Sequence, residues 1–528
     1  MAISDIIQNT LDLVPKHKRE IQVISIGSAV AFALSYIAYD IFLLPPRNIR
    51  HLPHWKYPDF IKKILIKRAN FENDMNYFKE KASHPGLNLR PDRIGWSVHV
   101  SSPSGVKTIF NKPDIFIKAP NGIGTQGTIY NKFIGGSNVL LSDGEEYRRH
   151  RKAANPAFHR SMPVQLFGHM TQTMFEEIDR LQGKSVNMTD LCERLTLDIL
   201  GRAVFDFEFN STGNPKNEWA MVYQSIMEAM NQRFFYFLPF MDQNSWLMLF
   251  PKRRQAHQQL AKFLGMISDM IVLKREMIDR GNSELNDSEV DKRETDLLTL
   301  MIESEAKNDK DSLTNDEIRS NLCIFFFAGH ETTSNAFAFT IYNLAKNQDI
   351  QEKARQEAIQ QLGDAPEDIF PTLEDALKLT YINQIMKETM RMFGPVIDTA
   401  PRITSEDTYI DGAFIPKNTF VTANLFSLHH DESIWKKPDD FIPERFEPGG
   451  EADQIYEQGV NWAPFGGGRR QCIGMNFSLS EQRVMISMLL RKYSWALPED
   501  SIHKEKAITS GIIAISPVNL CINFKRRY

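Results

Sequence analysis

The sequence predicts a mainly helical fold with a smaller β-sheet region, in the α+β class. Helix-forming residues run from the capping box Thr314–Glu317 to about Lys346, and an amphipathic run extends from Met475 towards Lys492. Alternation typical of strands is confined to short stretches near residues 94–100, 409–421 and 508–524. Long helices beside short strands indicate a helical body with a small sheet-rich part.

Composition indicates one large domain. The chain has 528 residues, of which 42% are hydrophobic, and no Gly/Ser-rich or Pro-rich linker divides it after residue 60. Its net charge of −4 provides no general attraction to nucleic acid, so we expect no nucleic-acid partner. The four cysteines are far apart in the sequence, which argues against a zinc site or a disulfide framework and favours a reducing compartment.

Residues 23–44 are almost wholly apolar, and as a helix they would span about 33 Å, which matches the hydrocarbon core of a bilayer. A cleaved signal peptide has a shorter apolar core and an Ala-x-Ala exit, whereas Asp40 and two prolines stand here. Basic residues flank the span on both sides, so its orientation stays open. The predicted organisation is an N-terminal segment (1–22), a single N-terminal transmembrane helix (23–44), a proline-containing linker (45–60) and a catalytic domain (61–528).

The most informative stretch is 465–474, which reads Phe-Gly-Gly-Gly-Arg-Arg-Gln-Cys-Ile-Gly. Consecutive glycines allow the backbone to fold tightly and to lie close to a flat ligand. Cys472 is predicted to lie where a helix begins, and the helix terminus together with Arg469 and Arg470 favours a thiolate. An iron ligand is the natural use of such a thiolate. The alternative is a glycine loop that precedes a helix and contains a buried cysteine.

This stretch resembles the ligand loop of the cytochrome P450 family, Phe-x-x-Gly-x-Arg-x-Cys-x-Gly. The resemblance implies a cytochrome P450-like fold and haem b (iron protoporphyrin IX) as the cofactor. It implies that Cys472 is the metal ligand, that Phe465 packs beside it, that Gly468 shapes the loop and that Arg470 reaches a haem propionate. Several short stretches resemble microsomal members, and fungal ones in particular.

The segment Ala328–Thr333 matches the oxygen-activation motif of the same family, Ala/Gly-Gly-x-Asp/Glu-Thr-Thr/Ser. The resemblance implies that Glu331 and Thr332 relay protons to dioxygen. The glycine and threonines also predict a local opening of the helix, because a threonine hydroxyl can bond the carbonyl four residues back. A threonine pair beside a solvated glutamate is the alternative. A zinc-protease motif is excluded, since Ser334 stands where its second histidine would be.

Two further propionate contacts follow from the resemblance. The family pattern Trp-x-x-x-Arg is met by Tyr147 and Arg151, which helical spacing puts on one face. Tyrosine departs from the family residue, but a phenol can still donate a hydrogen bond. Arg402, after Ala400-Pro401, matches another propionate-binding arginine.

The pair Glu388–Arg391 has a spacing that is common on helix surfaces, where such pairs contribute about 0.2 to 0.5 kcal/mol. The family joins its Glu-x-x-Arg to the arginine of a later Pro-Glu-Arg-Phe, which stands here at 443–446. The resemblance therefore implies a buried structural network of Glu388, Arg391 and Arg445 that holds the segment beneath the ligand loop.

We expect Phe325, Phe326 and Ala328 to line the substrate cavity, and the resemblance implies that Ile512 also reaches it and that the glycine-containing loop 118–137 is its roof. A permissive surface loop is the alternative for 118–137. The aromatic stretch 234–250 is either core packing or a second, interfacial membrane contact. Residues 279–294 are predicted to form a mobile linker.

The resulting hypothesis is a membrane-anchored haem-thiolate monooxygenase of the endoplasmic reticulum, with one membrane pass and a cytosolic catalytic domain. It inserts one atom of O2 into a lipophilic substrate, such as a steroid, fatty acid or foreign compound. Electrons come from NADPH through cytochrome P450 reductase, with cytochrome b5 as a second candidate donor and Arg148, Arg149 and Lys152 as a docking patch. The alternatives are a haem-thiolate isomerase or dehydratase, and a haem sensor or electron carrier without turnover.

Overall fold

The computed structural model describes residues 43–56, 58, 86–92, 95–119, 125–159, 162–181, 183–282, 296–306, 312–456, 459–511 and 514–528, with isolated helical positions between 28 and 40. Within these ranges the protein is mainly helical with small sheets, as predicted. The helices in chain order are α1 Pro103–Asn111, α2 Ile129–Ile134, α3 Gly144–His159, α4 Val164–Arg180, α5 Met188–Phe205, α6 Glu218–Met230, α7 Arg233–Phe237, α8 Pro251–Asn282, α9 Leu297–Ala306, α10 Asn315–Lys346, α11 Gln348–Leu362, α12 Leu373–Lys378, α13 Thr380–Phe393, α14 Leu425–His430, α15 Glu451–Tyr456 and α16 Met475–Lys492.

The strands form small sheets at the edge of the helical body. A five-stranded sheet has the order β1-β2-β8-β5-β3, and a three-stranded sheet has the order β4-β12-β9. The pairs β6–β7 and β10–β11 are antiparallel hairpins. The strand bounds are β1 Leu87–Asp92, β2 Gly95–Val100, β3 Phe116–Lys118, β4 Val186–Asn187, β5 Arg402–Thr404, β6 Thr408–Ile410, β7 Ala413–Ile415, β8 Phe420–Ala423, β9 Tyr493–Ala496, β10 Thr509–Ser510, β11 Ser516–Pro517 and β12 Cys521–Arg526.

Helix α10 passes through the middle of the protein. It begins with the predicted capping box, in which Thr314 accepts the Glu317 N–H and the Glu317 carboxylate accepts the Thr314 N–H. From Asn321 to Phe326 every side chain is buried, because the helix is surrounded by others. The helix is continuous through Ala328–Thr333, so the predicted local opening is absent. The Thr332 hydroxyl donates to the Ala328 carbonyl at 2.6 Å without breaking the helix.

Two clusters of buried apolar side chains flank α10 and leave room for a cavity between them. One lies at its C-terminal half and joins α4, α5, α13 and α16, with Phe337, Ile385 and Met485 fully buried. The other lies at its N-terminal half and joins α2, α5, α6 and α8. Burial of this kind stabilises the fold by about 25 cal/mol per Å² of apolar surface removed from water.

The predicted anchor at 23–44 lies mostly outside the described residues. Its described positions from Ser28 to Asp40 are helical, and Phe32, Tyr36 and Tyr39 there are 75%, 58% and 46% exposed. Among the described ranges, no helix combines the length and the apolar character that crossing a bilayer requires. The boundaries of the predicted segments stay predictions, and most of the proposed mobile linker also lies outside the described ranges.

Candidate functional site

A cavity of about 310 Å³ lies between α10, the loop before α16 and the strand β5. Cys472 is on one wall and Thr332 is on the wall formed by α10. The structure brings most of the predicted site residues together here, although they are spread from position 147 to position 472. The predicted site residues on its walls are Tyr147, Arg151, Phe325, Ala328, Thr332, Arg402, Phe465, Arg470 and Cys472.

The ligand loop is a tight turn closed by its own backbone. The Cys472 N–H donates to the Phe465 carbonyl oxygen at 2.9 Å. Gly468 has a φ of +62°, and a Cβ atom there would lie 2.5 Å from the Phe110 carbonyl oxygen. At Gly467 a Cβ atom would meet the Phe110 ring at 2.5 Å. Packing against α1 therefore requires glycine at two of the three positions, while Gly466 and Gly467 also line the cavity, so the predicted closeness to a ligand stays a prediction.

Cys472 precedes the first residue of α16 by three positions, so it is not at the helix start that we predicted. Its side chain is exposed to the cavity. Enclosure by protein raises the pKa of the Cys472 thiol, while the Gly474 N–H and the Arg151 guanidinium act in the opposite direction. Arg151, four residues after Tyr147 in α3, thus provides a positive charge that favours the thiolate.

One end of the cavity has an excess of positive charge. Lys118, Arg402 and Arg470 line it, and Asp143 is the acidic group that pairs with Arg470. Burial and the two arginines lower the pKa of Lys118 to about 7. The buried atoms Arg402 Nε and Arg470 Nη1 have no hydrogen-bond partner among the described residues. This end can accept a ligand with more than one anionic group.

Lys118 was missed by the sequence analysis. It is in β3 directly opposite Arg402 of β5, so the antiparallel register places both at the cavity. The sequence contains no motif at Lys118. Its position at the cavity becomes evident only when β3 is paired with β5. Arg402 Nη1 also donates to the Phe116 carbonyl at 3.1 Å, which fixes the guanidinium in place.

Tyr147 and Arg151 contact the ligand loop. The Tyr147 hydroxyl donates to the Arg469 carbonyl at 2.6 Å, and Arg151 Nη1 donates to the Gln471 carbonyl at 2.9 Å. The single O–H of Tyr147 thus donates within the protein, and the propionate contacts expected of Tyr147 and Arg151 stay predictions.

Glu331 is half-buried and stands next to Thr332 in α10. Burial raises its pKa to about 7, and a hydrogen bond with Asn231 acts in the opposite direction. A second acid, Glu193 of α5, has a pKa raised to about 8 by burial and by Glu331. His330 Nε2 lies 2.8 Å from the Glu193 carbonyl oxygen, which joins α10 to α5. Glu331, next to the threonine in α10, and Glu193 of the neighbouring α5 are thus two acids whose pKa values lie near neutral pH.

The predicted three-charge network is formed and buried. Arg391 donates to Glu388 at 2.7 and 2.9 Å, and Arg445 Nε donates to Glu388 at 3.2 Å. The same arginines donate to the carbonyls of His429, Pro438 and Lys437 at 2.7 Å each. In turn, the His429 ring accepts the N–H of Ala463, just before the ligand loop. The network therefore connects α13 to the loop through the segment 429–445.

Not every predicted residue is at the cavity. Phe326 is fully buried and stacks on Phe205 with 4.5 Å between ring centres, because it lies on the side of α10 that faces α5. Ile512 lies outside the described residues, and so do positions 120–124 of the predicted roof. Sequence analysis also missed Glu481 of α16, a buried acid on the cavity wall whose pKa burial raises.

The predicted docking patch is only partly available. Arg149 is paired with Glu317 and donates to the Ser312 carbonyl at 2.7 Å, so it connects α3 to the start of α10. Arg148 remains on the surface, with 66% of its side chain exposed, next to Glu145.

A family model described as Cytochrome P450 matches residues 56–522. Protein LUTEIN DEFICIENT 5, chloroplastic, of Arabidopsis thaliana is 28% identical over 370 residues, which are 69% of this chain and 60% of that protein. Cytochrome P450 3A16 of Mus musculus is 30% identical over 369 residues, which are 68% of this chain and 69% of the relative. The crystal structure of the cytochrome P450DA heme domain has a TM-score of 0.73 at 23% identity and covers 90% of this chain and 97% of that one. At that identity the structural match shows the fold alone.

Proposed function

Because this chain belongs to the cytochrome P450 family, we propose that it is a membrane-anchored monooxygenase that inserts one atom of O2 into a lipophilic substrate. Membership confirms the predicted family, the enzyme class and the haem cofactor. The observation that supports the specific proposal is that Cys472 and Thr332 line the same cavity.

The residues present fit a haem. Cys472 would hold the iron. Arg402 and Arg470 would bind the two propionates through the guanidinium N–H groups that have no partner among the described residues, and Lys118 lines the same end of the cavity. A haem with a thiolate ligand supplies the electron density that favours cleavage of the O–O bond. Glycine at 466 leaves open space on the cavity side of the loop.

Glu331 would supply protons for the reacting oxygen, and Thr332 would orient the water or other group that carries them. The Thr332 hydroxyl reaches the cavity and is oriented by the Ala328 carbonyl. Glu331 is the adjacent half-buried acid, and its pKa of about 7 lets it both release and recover a proton at neutral pH. This arrangement argues against the isomerase or dehydratase alternative, which needs no proton relay, and against a sensor or electron carrier.

The cavity favours an apolar substrate. Away from the cationic end, most of its wall residues carry aliphatic and aromatic side chains. Steroids, fatty acids and lipophilic foreign compounds fit this surface better than sugars or ions. The apolar residues concerned are Val139, Leu140, Leu200, Ile324, Phe325, Val396 and Leu425.

Two exposed apolar regions support membrane attachment. One is the helical stretch from Ser28 to Asp40 with its exposed aromatic side chains. The other is the stretch 234–250, where Met248 and Leu249 are 79% and 66% exposed while Phe235 and Leu247 are buried. The first would be the single membrane span of 23–44, and the second an interfacial contact. The endoplasmic reticulum, with the catalytic domain in the cytosol, is the proposed location.

Electrons must come from a separate protein, since the sequence contains no strand–GxGxxG–helix nicotinamide or flavin motif. NADPH–cytochrome P450 reductase is the proposed donor, with cytochrome b5 as a second. The exposed Arg148 and the loop residue Arg469 provide positive charge for docking near the ligand loop.

The test is reconstitution of the full-length protein with purified reductase, NADPH and a panel of steroids, fatty acids and foreign compounds. We expect a red-shifted Soret band in the reduced protein under carbon monoxide, and an oxygenated product from at least one lipophilic compound. Cys472→Ala should lose the band. A band that survives in Cys472→Ala, or turnover that needs neither NADPH nor O2, would contradict the proposal.

A further inference from the structure

Helix α3 holds the ligand loop at two backbone carbonyls. Tyr147 and Arg151, one helical turn apart, donate to Arg469 and Gln471 at 2.6 and 2.9 Å. Gln471 directly precedes Cys472 in the chain. The two contacts therefore hold the loop backbone directly before Cys472.

The Tyr147 ring has a second role. The guanidinium carbon of Arg470 lies 3.5 Å from the centre of this ring, in a cation–π contact, while its other side pairs with Asp143. One side chain thus contacts both the backbone and a cation of the same loop. These contacts join residues that are 322 and 323 positions apart in the sequence, so they are made only by the folded protein.

We propose that Tyr147 is a positioning residue for the thiolate ligand, with its hydroxyl fixing the Cys472 loop in place of the cofactor contact made by the family's tryptophan. The inference rests on the proposed haem-thiolate function. A phenol donates one hydrogen bond, and here the Arg469 carbonyl receives it. A tryptophan at this position would donate through its indole N–H, which lies at a different place on the side chain from the tyrosine O–H.

The substitutions that isolate this role are Tyr147→Phe and Tyr147→Trp. Tyr147→Phe keeps the ring beneath Arg470 and removes only the hydroxyl. Tyr147→Trp restores the family residue and its capacity to donate to a propionate. Tyr456→Phe is the matched control, because Tyr456 is 69% exposed on α15 and lies away from the loop.

Two measurements on the haem-loaded protein separate loop positioning from cofactor binding. The first is the fraction of the reduced, carbon monoxide-bound protein that keeps the red-shifted Soret band of thiolate ligation as the urea concentration is raised. The second is the rate of haem transfer to apomyoglobin. In Tyr147→Phe we expect the equilibrium to shift from the thiolate-ligated to the unligated form by roughly two- to tenfold, the effect of one lost hydrogen bond. The haem-transfer rate should rise with the unligated fraction and by no larger a factor, because haem leaves through the unligated form.

Tyr147→Trp should behave like Tyr147→Phe in the first measurement, since neither reaches the Arg469 carbonyl. Faster amide hydrogen exchange in residues 465–474 of the holoenzyme should accompany both substitutions, and Tyr456→Phe should change none of these quantities. Faster haem loss in Tyr147→Phe with an unchanged thiolate fraction would overturn the proposal in favour of a cofactor contact. Unchanged ligation and exchange in Tyr147→Phe would overturn it as well. Lack of a thiolate band in the wild type would instead reject the proposed function.

Discussion

The Thr332 hydroxyl donates to the Ala328 carbonyl oxygen at 2.6 Å, one turn earlier in α10, and the threonine side chain faces the cavity that contains Cys472. The donor hydrogen is therefore occupied within the helix, while the oxygen lone pairs remain available to accept a hydrogen bond. Such a group orients a protonated partner or a water molecule in the cavity.

Thr332→Ala should reduce the yield of product per NADPH without abolishing haem binding. The hydroxyl does not touch Cys472, so the carbon monoxide spectrum should survive, whereas oxygen that lacks an oriented proton source is released as peroxide. General acid–base groups contribute about 10² to 10⁴-fold, and water can replace part of this effect. The measurements are product formed and hydrogen peroxide released per NADPH oxidised. Thr332→Ser, which keeps the hydroxyl, is the control, and equal coupling in Thr332→Ala and wild type would remove Thr332 from the mechanism.

The raised pKa of Glu331 predicts that the yield of product per NADPH depends on pH. Its pKa is raised to about 7, so the carboxylic acid is protonated below this pH and becomes ionised as the pH rises through it. We therefore expect product per NADPH to fall above about pH 7 in the wild type. Glu331→Gln cannot lose a proton, so its lower coupling should not vary over this range. Using the ratio removes the reductase's own pH dependence, and an identical profile in both proteins would exclude Glu331 as the titrating group.

The same pKa shift has a consequence for stability. An acid with a folded-state pKa near 7 and an ordinary unfolded-state pKa of 4.5 disfavours folding once the unfolded chain ionises. The contribution of Glu331 to the free energy of unfolding should therefore fall from about pH 4.5 to about pH 7 and then level off. Urea unfolding of wild type and Glu331→Gln across this range measures it. A difference between the two proteins that grows as the pH falls would contradict the assignment.

Arg391→Ala should destabilise the protein by about 3 to 5 kcal/mol, because it leaves the Glu388 carboxylate buried with an incomplete set of partners. Arg148→Ala is the matched control: Arg148–Glu145 is also an i,i+3 pair, but both side chains are mostly exposed. Such a surface pair contributes about 0 to 1 kcal/mol. The measurement is the free energy of unfolding from urea titration. Similar losses in the two variants would show that burial does not govern the strength of the Glu388 network.

Deletion of residues 1–44 should release much of the protein from membranes. A fraction should remain bound, because the aromatic stretch 234–250 exposes Met248 and Leu249. Replacing both of these residues by serine in the truncated protein should release the remainder. Carbonate washing followed by sedimentation measures each step. Full-length protein that washes off as readily as the truncated form would exclude a spanning helix.

Short patterns in the sequence were sufficient to predict the fold class and to single out Cys472, Thr332 of α10 and the Glu388–Arg391 pair. Each of these depends on fixed spacing within one segment: the i,i+3 spacing puts Glu388 and Arg391 together on one helix, and the loop from Phe465 to Cys472 is closed by its own backbone. Local periodicity and local turns carry this information, because the helix geometry is the same in every context.

Only the tertiary structure decided which side chains meet across long distances in the sequence. Residues 323–328 of α10 are apolar on every side, so periodicity cannot tell that Phe325 faces the cavity while Phe326 stacks on Phe205. Strand pairing brings Lys118 opposite Arg402, and helix packing gives the Tyr147 hydroxyl to the Arg469 carbonyl. These partners are set by the register and packing of separate elements, and a hydrogen bond forms wherever the fold places a donor within reach of an acceptor.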